Sequence, residues 1–543
     1  ETGIRKRWSD PVPEDGDHLY RSSDAGKTWT IISSGLPDTK LTGRIGLAVA
    51  PSAPGTLYAF VDDHTIKREP KEGETDSYER KVQKVVVGGV IYRSTDRGDH
   101  WERRGEVHDF FKPFSGTYGW VFSQIRTDPR DADKIYALGV SMGISSDGGQ
   151  TWKRFEPEER SGEYIHGDNH ALWIDPHDPK RIILGNDGGV SITYDGGQSW
   201  DNFFDKIPTT QFYTVTYDNE IPFNVYGAVQ DEGTMSGSSA HTFGHPATEG
   251  QRKWMMAPGG EGTQIQVDPV NSNIIYSSSY YGRLMRSDMS LPDSIRYHPF
   301  RQFDVGRIDS LRGEWLAGTL ISKFDPKVVY HGLQHLYRTQ DGGANWERIS
   351  GDLSYNDSTR RGKYPYLIYH QAITTIAEGE DPGKIYAGTD DGRVWYTPDQ
   401  GATWKEITEG LPKQKQVARI VPSTTHPGWV YVVLNDRRQD NPIPYIYLSD
   451  NRGGKWKSVA GDLPAAPANV MAELPGENGG LVCGTDLGIY YSRNGGKNWV
   501  VLNGNMPASV SVNDLFIHPR DHKLVVGTYG RGVYILDDIS LLK

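Results

Sequence analysis

The chain has 543 residues, a formal net charge of −11 and a single cysteine, Cys483. The acidic balance gives no basic footprint for nucleic acid, and no apolar run approaches the roughly 20 residues that a membrane helix needs. One cysteine excludes an intramolecular disulfide, and its place in Leu481-Val482-Cys483 predicts a buried strand position.

From the N-terminus onward one phrase recurs eight times: Ser/Thr-x-Asp/Asn-x-Gly-x-x-Trp. The copies start at Ser22, Ser94, Ser145, Thr193, Thr339, Thr397, Ser449 and Ser492, with acidic or amide members Asp24, Asp96, Asp147, Asp195, Asp341, Asp399, Asn451 and Asn494. Each follows a short alternating run such as Gly488-Ile489-Tyr490-Tyr491 and leads into another, which predicts a turn between two strands. The hydroxyl and carboxylate can bond to turn amides, the glycine supplies positive φ, and the tryptophan is expected to fold over the turn. This is the Asp-box, and its expected role is structural.

Adjacent boxes in the middle and end of the chain lie 43 to 58 residues apart, the length of one four-stranded propeller blade. Within each interval a strand ending near Asp-Pro is followed by a hydrophobic strand, as in Trp173-Ile174-Asp175-Pro176 then Ile182-Ile183-Leu184. A glycine-rich turn, such as Gly185-Asn186-Asp187-Gly188-Gly189, then leads into strand three. In chain order, residues 19–32 supply the last two strands of a blade and residues 44–205 three full blades. The charged stretch from Lys67 to Lys84 reads as a solvated insertion. Further blades are expected at 211–258, 263–300 and 511–538, where the box has decayed, which makes seven from Gln211 to Asp538.

The fold class is therefore all-β, a β-propeller of four-stranded blades. The favoured division is an incomplete N-terminal propeller over 1–205 and a seven-bladed one over 206–543, because 146 positions separate Asp195 from Asp341. The alternative is one ten-bladed ring, with C-terminal strands completing the N-terminal pair.

The segments His166-Gly167-Asp168-Asn169-His170-Ala171-Leu172-Trp173, Val229-Gln230-Asp231-Glu232-Gly233 and Gly527-Thr528-Tyr529-Gly530-Arg531-Gly532 resemble a family of secreted bacterial Asp-box proteins, described as sortilin-like or as neuraminidase-repeat proteins. Nearly the whole chain shares the resemblance, which implies tandem propellers and export: a secreted, periplasmic or cell-surface location. It also implies further blades ahead of this start in longer members, so that a second chain supplying N-terminal blades is one candidate partner.

Box turns lie at the end of a propeller opposite the strand two–three turns and the links into strand one, and ligands usually gather at the latter. The residues expected there are His166, Asp168 and His170; Asn186 and Asp187; Gln230, Asp231 and Glu232; and Glu261. His166-x-Asp168-x-His170 on an extended strand would point two imidazoles and a carboxylate to one side, a candidate metal site. Asp187, Asp231, Glu232 and Glu261 would suit calcium instead.

A sialidase is disfavoured because the chain has no early Arg-Ile-Pro segment. A polysaccharide hydrolase needs two facing carboxylates, for which Asp187, Asp231 and Glu261 are the catalytic candidates. Trp173 and Trp395 are expected in the core. Tyr118, Trp120, Trp254 and Trp315 fall in links and are candidates for stacking on a glycan, and the pair Tyr280-Tyr281 falls in a strand two–three turn. These readings together favour an interaction scaffold that binds a protein partner or a glycan; the alternative is a glycoside hydrolase.

Overall fold

A computed structural model describes residues 18–74, 82, 84–104, 122–155, 165–203, 209–241, 254–305, 308, 310–360, 370–476, 479–502 and 504–542. Among the described residues there are nine four-stranded antiparallel sheets, one three-stranded sheet and one two-stranded sheet, and in each the strands neighbour one another in chain order. This is a β-propeller.

Burial explains why each blade reads as it does. Second strands such as Ile385–Thr389, Val430–Asn435 and Leu481–Thr485 are buried along their whole length, since sheets pack against both of their faces. Fourth strands such as Glu102–Arg103, Glu347–Arg348 and Lys405–Glu406 are two exposed, charged residues, which blunts the outer edge against further pairing.

The chain divides into two compact units, Glu1–Ile207 and Pro208–Lys543. In the first, Tyr20–Arg21 pairs with Thr30–Ile31 in a sheet of its own, followed by sheets running from Thr42 to Arg103, Gln124 to Arg154 and Asn169 to Asn202. Apolar clusters join neighbours: Leu19 and Ile32 meet Val61 and Trp101, Phe60 meets Ile125 and Ile135, and Leu138 meets Leu172 and Leu184. The charged stretch prolongs the hairpin between Leu57–Arg68 and Val85–Ser94, where Arg68 pairs with Glu74 at 2.8 Å; residues 75–81 and 83 lie outside the described ones. Trp173 departs from expectation. It points to the outward face of its strand and is 47% exposed, because its neighbours Leu172 and Ile174 take the inward face and pack on the core. Trp395 does pack on the core, with its Nε1 donating to Leu353 O.

The second unit is a closed ring of seven sheets. An apolar cluster fills every junction, from Tyr226 with Ile275 between the first and second sheets to Val215, Phe223 and Val225 with Val525 between the first and seventh. The cysteine is where it was expected: Cys483 is fully buried between the fifth and sixth sheets, and burial pushes its thiol far up.

Among the described residues, backbone pairing across the closure is confined to Thr210 and Gln211: Gln211 bridges Tyr529, and Thr210 O accepts from Gly530 N and Gly532 N at 3.1 and 3.2 Å. Side chains of the seventh sheet also reach the first: Val215 N donates to Asp514 Oδ2 at 3.0 Å, Asn513 Nδ2 to Phe212 O at 3.0 Å, and Arg520 to Asn219 O and Glu220 O at 2.7 and 2.8 Å. His518 stacks on Phe223 at 4.2 Å and lies 3.3 Å from Asp218 O through Nε2. A single ten-bladed ring is thereby set aside, since Leu524–Thr528 and its neighbours close on Phe212–Tyr217.

The boxes hold the blades in a way the sequence pattern did not suggest. As expected, each hydroxyl donates to the aspartate and accepts from the glycine amide: Ser145 Oγ is 2.8 Å from Asp147 Oδ1, and Gly149 N is 2.9 Å from Ser145 Oγ. The tryptophans, however, do not all fold over their own turns. Trp29 and Trp152 bond to the carbonyls of Gly26 and Gly149 in their own boxes. Trp101, Trp404, Trp456 and Trp499 donate to Ile32, Ile349, Ile407 and Val459, at 2.7, 2.8, 2.8 and 3.2 Å, each just past the last strand of the preceding sheet. In these four the box staples one blade to the last.

Candidate functional site

An antiparallel meander puts the start of strand one beside the end of strand two, so links and strand two–three turns share one end of the ring. In the first unit that end holds His166 to His170. Asp168 adopts left-handed backbone (φ 57°) and the strand begins at Asn169 with a bulge, so the three residues are not on one extended strand. The alternation that would have aimed both histidines and Asp168 together is broken there. His166 Nδ1 lies 3.1 Å from Gly167 O, its carbonyl accepts from Asn186 Nδ2 at 3.0 Å, and its ring covers Gly188. His170 pairs with Asp187 at 3.1 Å and lies against Phe122. Among the described residues, neither histidine belongs to a cluster of three ligating side chains. Tyr118 and Trp120 lie outside the described residues.

The second unit brings together more. Gln230 Oε1 accepts from Tyr213 Oη at 3.0 Å and from the Tyr529 hydroxyl, joining the first and seventh sheets. Burial drives the Tyr213 phenol far up, helped by the charges of Glu261 and Asp231, while Trp315 from the link into the third sheet lies within its hydrogen-bonding reach. Tyr280 and Tyr281, in the turn of the second sheet, meet Trp315 at 5.1 and 5.4 Å, and Tyr281 meets His370 at 5.4 Å. A linked aromatic belt thus runs along this end of the ring, its mouth, from the seventh sheet to the link into the fourth. Trp315 is buried, Tyr280 and Tyr281 are half-buried, and Tyr529 is exposed. Glu261 is buried and accepts from Asp231 N at 2.9 Å; Asp231 is exposed and Glu232 half-buried. Trp254 packs on Phe212 at 5.4 Å, over Gly237.

Beneath the belt lies a charged cluster that the sequence pattern did not single out. Arg438 donates to Glu314 Oε1 at 2.6 Å and approaches Asp390 Oδ2 at 4.0 Å, while Glu314 also accepts from Trp315 N. Asp390 accepts from Ala372 N at 2.8 Å and His370 N at 3.2 Å. Burial, with the charges of Glu314 and Asp391, pushes the Asp390 carboxyl up to about 7 against the pull of Arg438. Next to it, Arg312 donates to Asp352 Oδ2 at 2.7 Å, Ser354 Oγ at 3.1 Å and His370 O at 3.2 Å, and its amide donates to Gln334 Oε1 at 2.9 Å. Asp390 sits in the glycine-rich turn Gly388-Thr389-Asp390-Asp391-Gly392; its charged neighbours Glu314 and Arg438 lie 76 and 48 positions away, which no local pattern connects.

The topology and the boxes define the class: an Asp-box β-propeller, with sortilin-like sequence in its second unit. Residues 334–465 match the Sortilin-Vps10 family model, described as sortilin, neurotensin receptor 3. A stretch of 44 residues is 50% identical to the dispase autolysis-inducing protein of Streptomyces mobaraensis, covering 8% of this chain and 12% of that protein. Among solved structures, a GH74 enzyme from Niastella koreensis aligns over 98% of this chain and 90% of its own at 12% identity, with a TM-score of 0.35. A GH74 xyloglucanase from Xanthomonas campestris aligns over 96% and 95% at 14% identity, with a TM-score of 0.27. Among the described residues no helix is long and apolar enough to cross a membrane.

Proposed function

We propose that this chain is an exported binding module, a propeller scaffold that holds a glycan or a protein partner at the strand two–three end of the ring in its second unit. The linked belt of Tyr213, Tyr280, Tyr281, Trp315 and Tyr529 carries this reading. Rings bonded to one another are pre-organised, and apolar faces with a few fixed polar groups are how concave sites hold a ligand.

A hydrolytic reading draws on one observation: Asp390, whose carboxyl burial pushes up to about 7, lies near Glu314, which accepts from Arg438, so two carboxyl groups sit in unlike surroundings, as glycoside hydrolysis uses. Both carboxylates are only 2% exposed, which disfavours contact with a glycosidic bond and favours a supporting role.

The test incubates the protein with soluble polysaccharides and scores both retained protein and new reducing ends. Retention without new ends, weakened in Gln230→Ala/Tyr529→Ala and kept in the outer-edge control Lys405→Ala, is the expected result. New reducing ends that vanish in Asp390→Asn would replace the scaffold with an enzyme. Absence of both signals would leave a protein partner as the ligand to seek.

A further inference from the structure

The first and second sheets of the ring carry the same three-residue turn between strands two and three. Gln230-Asp231-Glu232 is bracketed by the pair Val229 and Gly233, and Tyr280-Tyr281-Gly282 by Ser279 and Arg283. In both the middle residue is left-handed, Asp231 at φ 61° and Tyr281 at φ 64°. Aspartate tolerates that conformation, because its short side chain can bond locally; a bulky aromatic residue there is an outlier.

The chain also makes room for the strained turn. The Tyr281 carbonyl lies where a side chain on residue 313 would stand, 1.7 Å from an ideal Cβ, so Gly313 cannot be replaced without moving the turn. The following Gly282 sits against Leu333 and Ala317. Strain of this kind persists where the surrounding structure over-determines it and collects at ligand sites.

We propose that Tyr281, with Tyr280 beside it, is retained in this unfavourable conformation to stack on a sugar ring, and that the ligand of the mouth is a neutral glycan. The inference rests on the binding reading above and names its ligand class. Tyr280 and Tyr281 are half-buried and braced from behind by the buried Trp315, a fixed pair of aromatic faces. Gly313 ties the turn to the Arg312 link, whose guanidinium is itself fixed by Asp352 and Ser354, so the turn rests on a rigid support. The cations beside the turn are already matched, Arg283 with Asp304, Arg312 with Asp352 and Arg438 with Glu314, which suits an uncharged ligand better than an acidic peptide. The two strands that flank the turn, Ile274–Ser279 and Arg283–Asp288, are each paired on both sides within their sheet, so an extended peptide has no ladder to join at the turn itself.

The experiment measures thermal stability and affinity electrophoresis in starch, arabinoxylan, mixed-linkage β-glucan and galactomannan, for the full chain and for Tyr281→Asn and Tyr280→Ala. Asparagine accepts the left-handed backbone, so Tyr281→Asn should melt at or above the wild-type temperature while its retardation by the bound polysaccharide weakens about tenfold or more, the equivalent of ~1.4 kcal/mol. A clear fall in melting temperature would mean that the ring is there for packing, and would overturn the proposal. Wild type and Tyr281→Asn retarded equally would leave the mouth a candidate site by another contact and remove Tyr281 from it. Wild type retarded by no polysaccharide overturns the glycan class, and with it this inference, whether or not a protein partner is then found.

Discussion

His518 packs at the closure of the ring, and its replacement tests how much side chains add to the backbone bonds at Thr210 and Gln211 in holding the seventh sheet to the first. Four other sheets place an aspartate at this point, Asp128, Asp175, Asp218 and Asp268, each accepting from the amide two residues on. His518 does the same work with an imidazole: Nδ1 accepts from Asp521 N at 3.2 Å, which leaves Nε2–H for the Asp218 carbonyl, and the ring packs between Tyr217 and Phe223. Emptying a buried aromatic position costs about 3–5 kcal/mol, so His518→Ala should lose that much at the closure. His518→Phe keeps the stack but forfeits two hydrogen bonds, roughly 2 kcal/mol. Burial holds the imidazole below its ordinary pKa, so the unfolded chain protonates first. The stabilisation is therefore complete above about pH 6.5 and is lost as pH falls below that value. Hydrogen exchange of amides in Phe212–Tyr217 and Val512–Ile517 reads the opening free energy directly, without requiring the two units to unfold together. A loss below ~1 kcal/mol in His518→Ala, or an acid slope in His518→Phe equal to that of wild type, would refute the closure argument.

Trp404→Phe removes the indole bond to Ile349 O and should lower stability by about 1–2 kcal/mol, whereas Trp29→Phe, at an indole 62% exposed and bonded within its own box, should be near neutral; a thermal melt separates them. Hydrogen bonds within the boxes hold Asp24 and Asp341 down to about 2, and Asp147 reaches about 2 against its burial, so their contribution is intact above about pH 4 and lost as pH falls toward 2. An acid titration followed by circular dichroism should show that transition moving upward in Asp147→Asn. Asp390 works in the opposite sense: with its carboxyl pushed up to about 7, the native state holds the proton longer, and the second unit loses stability as pH rises from about 4 to 7. Asp390→Asn should flatten that limb of a melting-temperature profile, and an unchanged slope would contradict the assignment. Cys483 should react with a thiol reagent only on unfolding, because it is fully buried and its thiol is pushed up.

The candidate site was legible in parts. Gln230, Asp231, Glu232 and Glu261 fall at the end of the ring where turn position alone placed them, and Tyr280-Tyr281 stood out as an aromatic pair in a turn. Glu314, Asp390 and Arg438 did not, because each is unremarkable in its own segment and gains meaning only where three blades converge. His166-Gly167-Asp168-Asn169-His170 misled for a local reason: strand alternation holds only for extended backbone, and one left-handed residue, Asp168, ends it.

Repeat spacing, box chemistry and alternating hydrophobicity by themselves determined that this chain forms propeller blades, since turn geometry and strand burial are written in residues that are neighbours in sequence. Tertiary structure alone decided that seven sheets close through Thr210, Gln211, Asn513, Asp514, His518 and Arg520, that four box tryptophans staple successive blades, and that an aromatic belt lines part of the mouth. Those features join residues tens to hundreds of positions apart, and their energies depend on distances and burial that arise only when the ring has closed.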